Sequence, residues 1–127
     1  MLKVKAEARP SPIHGLGLFS CEFIPAGSPV AGWSRETDYS LTPEQWINLP
    51  RSLQKFLWTF VWVTEDGVYR GTSDDGRFTN HSDNPNLTWN EEINCSVANR
   101  DIIAGEELTE DYSQFDAAWN EYKDELK

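Results

Sequence analysis

The sequence predicts a mainly β domain of many short strands with two helical pieces, and three observations support this fold class. The chain has 127 residues, 39% of them hydrophobic and 13% aromatic, which fits one folded domain and not a disordered chain. Its apolar runs are short and are separated by glycine, proline and asparagine turns. Only one segment, beginning at Thr42, carries a clear helix-start pattern.

The first third of the chain predicts strands separated by turns. Residues 3–8 alternate between apolar and polar side chains, which indicates an edge strand that ends near Pro10. A glycine-bearing turn at residues 13–17 leads into a short apolar strand, and residues 25–27 form another turn. Residues 29–33 are predicted to be a strand.

The middle of the chain carries the helix signal. Thr42 is placed to cap a helix, with Pro43 at the first helical position and Gln45 at the reciprocal capping position. Pro50 is expected to divide the segment into two short helices. Residues 56–63, rich in aromatic and β-branched side chains, are predicted to be a buried strand.

The last part predicts short strands followed by a helix. Residues 65–67 form a hairpin-like turn into a strand at 68–70, and short strands are expected again from 86 to 112. Residues 114–127 are predicted to be an amphipathic helix because four apolar side chains recur at helical spacing: Phe115, Trp119, Tyr122 and Leu126.

The formal net charge of −10 limits the classes of partner. A phosphate backbone would be repelled, so no direct nucleic-acid partner is expected, whereas a basic peptide would be attracted. Solubility explains the acidity equally well. The N-terminus lacks a signal peptide and the longest apolar run is far shorter than a bilayer span, so we expect no membrane partner and a cytoplasmic location, or a nuclear or host-delivered one.

Three stretches could carry chemistry, and each also has a plain structural interpretation. Gly15-x-Gly17 could approach a ligand through its backbone, but Ser20 stands where a dinucleotide fingerprint needs a third glycine, and an ordinary tight turn explains the pair. Residues 77–86 combine amides, an imidazole and hydroxyls that could fix a ligand or could satisfy their own loop.

The third stretch, residues 104–112, is a turn that leads into a strand ending at Tyr112. Its tyrosine could wall a channel or simply lie in the core. His14 and His81 are the only histidines, and their spacing suggests no metal site. His81 has no evident nucleophile to serve as a general base.

Taken in this order, the three stretches resemble the SET-domain family of protein lysine methyltransferases. The matching pieces are Gly-Leu-Gly-Leu-Phe at 15–19, Arg-Phe-Thr-Asn-His-Ser-x-x-Pro-Asn at 77–86 and Gly-Glu-Glu-Leu-Thr-x-Asp-Tyr at 105–112. The form most similar is the compact stand-alone type found in bacteria and viruses. The resemblance implies a β-clip fold of several small sheets with a C-terminal pseudoknot, a SET domain over residues 1–113 and a post-SET-like helix over 114–127 in the same globular unit.

The resemblance implies S-adenosylmethionine as cofactor and S-adenosylhomocysteine as product. It assigns cofactor binding to His14, Gly15, Leu16, Gly17, Asn80 and His81. The glycine turn would cradle the cofactor through backbone groups, and Asn80 would bond its amino-acid end. His81 would offer mainly its backbone to the adenine and its ring to local packing.

Tyr112 matches the family's catalytic tyrosine. Its hydroxyl would orient a lysine amine for direct displacement of the sulfonium methyl group, and the amine must lose its proton first. Glu110, Phe115 and Trp119 would line the channel that admits the lysine. The aromatic pair could instead only dock the terminal helix.

The sequence departs from the family pattern at several positions. Asp83 stands where many members carry a zinc-binding cysteine, and no terminal cysteine cluster follows, so no metal is expected. Glu110 stands where phenylalanine or tyrosine helps to set the number of methyl groups added. Arg35 replaces a usual glycine, and residues 42–57 fall in the variable insert that shapes the substrate groove.

The sequence therefore predicts a protein-lysine N-methyltransferase that acts on a basic protein or peptide. A module of the same fold that binds cofactor or peptide without efficient turnover is the alternative. Methylation of a small-molecule amine is a third, weaker one.

Overall fold

Short strands in three small sheets make up most of the computed structural model, which describes residues 1–125. The strands are β1 (Ala6–Pro10), β2 (Leu16–Ser20), β3 (Pro29–Gly32), β4 (Tyr39–Leu41), β5 (Trp62–Val63), β6 (Tyr69–Gly71), β7 (Asn80–His81), β8 (Leu87–Asn90), β9 (Cys95–Ala98) and β10 (Glu107–Glu110). The helices are α1 (Pro43–Ile47), α2 (Arg51–Trp58) and α3 (Trp119–Tyr122), with 3₁₀ turns at Asp75–Phe78 and Tyr112–Gln114. Across residues 1–125, no helix has the length and apolarity that crossing a membrane requires.

The four-stranded sheet brings the three chemical motifs together. Its order is β1-β2-β10-β7, so β10 is hydrogen-bonded to β2 on one side and to β7 on the other. The β10–β7 pairing is parallel and sets Thr109 beside Asn80 and Glu110 beside His81. The other two sheets, β3-β9-β8 and β4-β6-β5, are antiparallel.

An aliphatic core lies between the four-stranded sheet and the β3-β9-β8 sheet. Each of its members exposes at most 2% of its surface to solvent: Leu18, Ile24, Val30, Leu87, Ala98, Ile102 and Leu108. Leu18 and Leu108 face each other across the β2–β10 pair, which anchors the last motif strand to the first. Burial of this aliphatic surface is the main driving force for folding of the region.

The helical segment begins and divides as the sequence predicts. The Thr42 hydroxyl accepts a hydrogen bond from the Gln45 backbone, and the Gln45 side chain accepts one from the Thr42 N–H. These reciprocal bonds satisfy donors that have no partner inside a helix. α1 ends before Pro50, and α2 begins at Arg51.

Two strands differ from the prediction. β1 begins at Ala6 and includes Pro10, which pairs with Leu16. A proline is tolerated there because β1 is an edge strand, where a missing N–H leaves no ladder bond broken. Residues 56–63 are not one buried strand, because α2 continues to Trp58 and only Trp62–Val63 are extended.

The C-terminal segment is less helical than predicted. Only Trp119–Tyr122 form an α-helix after the Tyr112–Gln114 turn, while Leu126 lies outside the described residues. Asp116 explains the late start, since its carboxylate accepts the backbone N–H groups of Val63 and Ala118. Ala117 also donates to the Val63 carbonyl, so the chain is fixed to β5 before a helix can begin.

Candidate functional site

Three adjoining cavities lie along the motif strands. The turn cavity, about 270 Å³, lies between residues 13–16 and β7. The narrow cavity, about 80 Å³, lies beyond Tyr112, and Tyr112 lines both. The acidic groove, about 340 Å³, shares Trp62, Trp89 and Phe115 with the narrow cavity.

Five of the six residues predicted to bind cofactor line the turn cavity. They are His14, Gly15, Leu16, Asn80 and His81. Phe60, Phe78 and Arg77 complete much of the wall, and the Arg77 guanidinium lies 4.4 Å from the centre of the Phe78 ring. The cavity therefore combines exposed backbone, two aromatic rings and one cation.

Gly17 is absent from this wall, and the structure gives a different reason for its missing Cβ. A Cβ at Gly17 would lie 2.4 Å from Oε2 of Glu107 and 3.0 Å from Cβ of Ser11. Gly15, by contrast, has φ +45° with nothing within 4 Å of a Cβ, so its backbone conformation is what favours glycine there. Close packing beside Glu107 thus favours glycine at position 17, while the contact of Gly17 with the cofactor stays a prediction.

A polar cluster around Glu107 holds the glycine turn against β7. The Glu107 carboxylate accepts hydrogen bonds from the Ser11 hydroxyl, at 2.8 and 2.9 Å, and from Nδ2 of Asn80, at 3.0 Å. Nδ2 of Asn80 also lies 3.0 Å from the His14 carbonyl and 3.2 Å from that of Leu16. This amide nitrogen is engaged within the protein, which leaves Oδ1 as the Asn80 side-chain atom for a ligand.

The His81 ring positions Tyr112. Nδ1 accepts the Tyr112 backbone N–H at 3.1 Å, and Nε2 lies 2.9 Å from Oδ1 of Asp83. These partners assign the proton of the neutral ring to Nε2. The ring also packs 5.3 Å from the Tyr112 ring and 4.3 Å from that of Trp119.

Tyr112 presents a protonated hydroxyl to the wall between the cavities. The hydroxyl donates to the backbone carbonyl of Thr79. Burial, followed by the negative charges of Glu110, Asp116 and Glu107, raises the pKa of Tyr112 above its usual value. A phenol that keeps its proton can orient neighbouring groups by hydrogen bonding but does not act as a base near neutral pH.

Glu110, the last residue of β10, lines the narrow cavity two residues before Tyr112. One of its oxygens, Oε1, accepts the hydroxyl of the fully buried Ser96 at 2.6 Å. Burial raises the pKa of Glu110 to about 7, although the Ser96 hydrogen bond lowers it. The carboxyl group therefore changes charge near neutral pH.

Asp116 and Tyr122 also line the narrow cavity, and sequence reasoning assigned no role to Asp116. The Tyr122 hydroxyl donates to Oδ2 of Asp116. Burial, together with this hydrogen bond, raises the pKa of Tyr122. Asp116 is only one of many acidic residues in the tail, so no sequence pattern distinguishes it.

Two of the three residues predicted to line the lysine channel lie in the wall of the narrow cavity, and the third does not. Glu110 and Phe115 line the narrow cavity, and the Phe115 ring packs 5.8 Å from Trp62 and 5.7 Å from Trp89. Trp119 lines none of the three cavities described above, since it packs on the outer side of His81 and Tyr112. Its place in the lysine channel stays a prediction.

The acidic groove is lined by four carboxylates: Glu65, Asp66, Glu91 and Asp116, the last of which it shares with the narrow cavity. One cation, Arg70, also lies in its wall, with its guanidinium 4.3 Å from the centre of the Trp33 ring. The hairpin turn between β5 and β6 positions Glu65 and Asp66, as Gly67 adopts φ +81° there. Within residues 1–125, no cluster of three or more potential metal ligands occurs.

Ser96 and Glu107 are further site residues that the sequence did not reveal. Ser96 lies in a short strand whose sequence has no distinguishing pattern. Glu107 follows another glutamate, and such a pair is also typical of a solvent-exposed surface. Their roles depend on partners, Glu110 and Ser11, that are distant in the sequence or on another strand. Only the spatial pairing identifies them.

The geometry agrees with the comparison to known proteins, in which the SET-domain family model matches residues 15–113. The chain belongs to the SET-domain family. The matched region contains the two glycines of the turn, Gly15 and Gly17, the strands β7 and β10, and Tyr112. Every cavity described above therefore has most of its wall within the SET domain.

The similar proteins include a relative found by sequence and two solved structures. The Plasmodium falciparum (isolate 3D7) protein named "Putative histone-lysine N-methyltransferase 1" is 31% identical over 112 residues, which cover 80% of this chain and only 2% of that protein. A crystal structure of a Plasmodium falciparum histone methyltransferase, titled as putative, aligns with TM-score 0.58 at 23% identity, covering 85% of this chain and 96% of that one.

A second solved structure is a humanized mutant of the Chaetomium thermophilum Polycomb Repressive Complex 2 bound to the inhibitor GSK126. It aligns with TM-score 0.65 at 20% identity, covering 92% of this chain and 16% of that one. At such identities the two structures establish the SET fold, with its several small sheets and few short helices.

Proposed function

We propose that this chain is an S-adenosylmethionine-dependent protein-lysine N-methyltransferase whose substrate is a lysine in a basic protein or peptide. The observation that carries the proposal is the position of Tyr112. Its side chain lines both the turn cavity and the narrow cavity, so groups bound on the two sides would meet at its hydroxyl. Membership of the SET-domain family supports methyl transfer as the chemistry.

The turn cavity suits the cofactor. Its volume is close to the lower end of the range for ligand sites, roughly 300 Å³. Phe60 and Phe78 offer ring faces to a heteroaromatic base, while Arg77 offers a cation to a carboxylate. The backbone of Gly15 is open on its Cβ side, and Oδ1 of Asn80 remains as an acceptor for an amino group.

The acidic groove and the narrow cavity suit a lysine substrate. The carboxylates of Glu65, Asp66 and Glu91 would attract a basic peptide. A lysine side chain could pass from this groove between the rings of Trp62, Trp89 and Phe115 toward Tyr112, because those rings border both spaces. A slot this narrow admits an unbranched alkyl chain more readily than a bulky side chain.

The residues around the two cavities would supply alignment and exclusion of water. When bound, the cofactor provides an electrophilic methyl group on sulfur. Tyr112 would hold the amine in line with that group, while its own position is fixed by Thr79 and the His81 ring. The aromatic walls disfavour a charged ammonium and so promote the neutral amine that the reaction needs.

Transfer of label from methyl-labelled S-adenosylmethionine to a mixture of basic proteins tests the proposal. Tyr112→Phe should lower the transfer rate at least about 100-fold, because the amine loses its alignment while the ring remains in the wall. Tyr69→Phe is the matched control, since Tyr69 stacks on Trp46 and lines neither cavity. Undiminished transfer by Tyr112→Phe would contradict the catalytic assignment.

Calorimetry of cofactor binding separates an enzyme from a binding module. Asn80→Ala should weaken binding because it removes both Oδ1 and the lock on the glycine turn, whereas Asn84→Ala, in the exposed loop that follows, should not. Unchanged affinity in Asn80→Ala would count against this cofactor site. Cofactor binding by the wild type without transfer to any substrate would favour the module.

A further inference from the structure

Glu110 is one of two carboxylates that line the narrow cavity, beside several aromatic rings, and the proposed reaction above gives it no chemical role. It is joined to the wall by one oxygen only, through the bond from Ser96 to Oε1. Among residues 1–125, no donor reaches its other oxygen, Oε2. Since Glu110 lines the narrow cavity, that second oxygen remains available to an occupant of the cavity.

Other charged or titratable groups around the narrow cavity are already engaged. Asp116 accepts hydrogen bonds from the N–H groups of Val63 and Ala118 and from the Tyr122 hydroxyl. The Tyr112 hydroxyl donates to a backbone carbonyl. Glu110 is thus the carboxylate with acceptor capacity to offer.

Neither of the two cations at the cavity, Arg77 and the Met1 ammonium, pairs with Glu110. Arg77 donates to the Asp74 carbonyl and faces the Phe78 ring, while the Met1 ammonium pairs with Asp38. His81, the titratable neighbour of Glu110 on β7, lines the turn cavity instead. No cation of the described chain neutralises the Glu110 carboxylate.

We propose that Glu110 binds the ammonium group of the target lysine in the narrow cavity and accepts its proton before methyl transfer. The inference rests on the proposed function and adds a residue to it. Because Glu110 and Tyr112 are two residues apart and line the same cavity, an amine near the tyrosine hydroxyl is also near the carboxyl group. The cavity holds only a few water-sized groups, so a lysine in it has little bulk water to receive its proton.

Magnitudes favour this carboxyl group over an ordinary one. Free lysine has a pKa near ~10.4, and Glu110 has a pKa of about 7, so about three pKa units separate donor and acceptor. An ordinary glutamate, near ~4.3, would leave a gap of about six. Burial lowers a lysine pKa by up to about 3–5, which closes the first gap but not the second.

A carboxylate also stabilises the ammonium, which opposes proton loss. The ion pair is favoured over the neutral pair when both charges are hydrated or well hydrogen-bonded, and the narrow cavity offers the Glu110 carboxylate one protein donor only. Desolvation of two charges costs several kcal/mol per ion. The neutral pair of amine and carboxylic acid is therefore stabilised relative to the ion pair. The positive cofactor across Tyr112 acts in the same direction on the lysine.

One N–H bond of the lysine ammonium breaks and an O–H bond forms on Glu110, which leaves a neutral amine and a carboxylic acid. The amine nitrogen then bonds to the cofactor's methyl carbon, and the carbon–sulfur bond breaks with its electron pair remaining on sulfur. The product is a methylated ammonium, and Glu110 releases its proton to water when the product leaves.

A binding measurement that needs no turnover tests the ammonium site. n-Butylammonium, which has the shape of the lysine side chain, is titrated into the protein, and fluorescence of Trp62 and Trp89 in the cavity wall reports binding. Glu110→Gln should weaken this binding at least tenfold because a charge-assisted hydrogen bond is lost. Neutral n-butanol should bind both proteins alike. Equal n-butylammonium binding by both would overturn the proposal.

A pH profile of methyl transfer tests the proton step. The wild-type rate should rise through pH 7 and then level off. Glu110→Gln should be at least about 100-fold slower at pH 7 and should continue to rise toward the pKa of free lysine. Ser96→Ala should shift the midpoint of the profile to higher pH, since the bond that stabilises the carboxylate is removed.

Glu7→Gln is the matched control, because this exposed β1 glutamate lies outside the cavities and should leave the profile unchanged. A Glu110→Gln profile that matches the wild type would overturn the proton step. If the wild type binds n-butylammonium through Glu110 yet transfers no label, the proposed function and the proton step both fail. In that case the ammonium site alone stands.

Discussion

The aliphatic core and the aromatic wall are both apolar, but they bury their side chains to different extents. The seven core residues are almost fully buried, and their leucine, isoleucine and valine side chains interlock between two sheets. The rings of Trp62, Trp89 and Phe115 are only half-buried because each borders a cavity and not a packed interior. A close-packed core stabilises the fold, whereas a wall of incompletely packed rings leaves room for a ligand.

The polar groups differ in the same way. Buried polar side chains near the core have internal partners, as when Asn86 bonds the β10 backbone through its Nδ2 and Oδ1 atoms. Glu110, at the cavity, has a single partner. Full satisfaction stabilises a fold, and incomplete satisfaction marks a place where a ligand can complete the bonding.

The sharpest way to separate the two regions is to truncate one residue in each. Ile102→Ala should lower the free energy of unfolding by about 2–5 kcal/mol, because truncation of this fully buried side chain creates a cavity in the core. Phe115→Leu should cost at most about 1.5 kcal/mol because this half-buried ring can be replaced without emptying a packed site. Urea denaturation at 25 °C measures both.

The activities of these two variants should rank in the opposite order. Folded Ile102→Ala should retain methyl transfer per folded molecule, whereas Phe115→Leu should lose much of it through a widened slot. If Phe115→Leu were as destabilising as Ile102→Ala, the distinction between core and wall would be wrong.

Glu110 should make the free energy of unfolding depend on pH. The pKa of Glu110 is about 7 in the folded state, against 4.5 for the unperturbed group. The folded protein therefore holds this proton more tightly, so the free energy of unfolding should fall as pH rises from about 4.5 to about 7. The loss amounts to roughly 3 kcal/mol and stays constant above pH 7.

Glu110→Gln should remove this loss, so its stability relative to the wild type should grow by roughly 3 kcal/mol between pH 4 and pH 8. Glu106→Gln is a control of opposite sign. Hydrogen bonds from the Ile103 backbone and Arg100 outweigh burial and lower the pKa of Glu106, so its contribution is present at pH 8 and is lost on acidification. A difference between Glu110→Gln and wild type that does not vary with pH would contradict a buried, titrating Glu110.

The smallest expected effect concerns the acidic groove. Glu65→Lys should raise the KM for a basic peptide about fivefold at low salt, the size of an exposed charge interaction of ~1 kcal/mol. The same charge change at Glu7, outside the groove, should have little effect on KM. The difference should shrink at 0.5 M salt because exposed charges are screened. An equal response at both positions would mean that net charge, and not this groove, attracts the peptide.

The sequence predicted those features that depend on contacts between residues close together in the chain. The α1 cap needs only Thr42 and Gln45, three residues apart, and the β5–β6 hairpin needs only the turn at Gly67. The sequence motifs also predicted which segments line the turn cavity, since the glycine turn and β7 carry distinctive residues.

Features set by distant partners were not predictable. The run at 56–63 is apolar in a way that suits a strand or a helix, and packing decided in favour of α2 as far as Trp58. The spacing of Phe115, Trp119 and Tyr122 suits a helix, but Asp116 ties the chain to Val63 and delays it. The partners of Glu110 and Gly17, which are Ser96 and Glu107, likewise come from other strands.

The place of β10 in the four-stranded sheet has a consequence for how the molecule assembles. This strand, near the end of the chain, lies between β2, from the beginning, and β7, from the middle. Contacts between such distant segments carry a large entropic cost and form slowly. A chain that stops before Glu107 therefore has neither the lock on the glycine turn nor a place for Tyr112. We expect the cofactor side and the lysine side of the site to form together, when β10 joins the sheet.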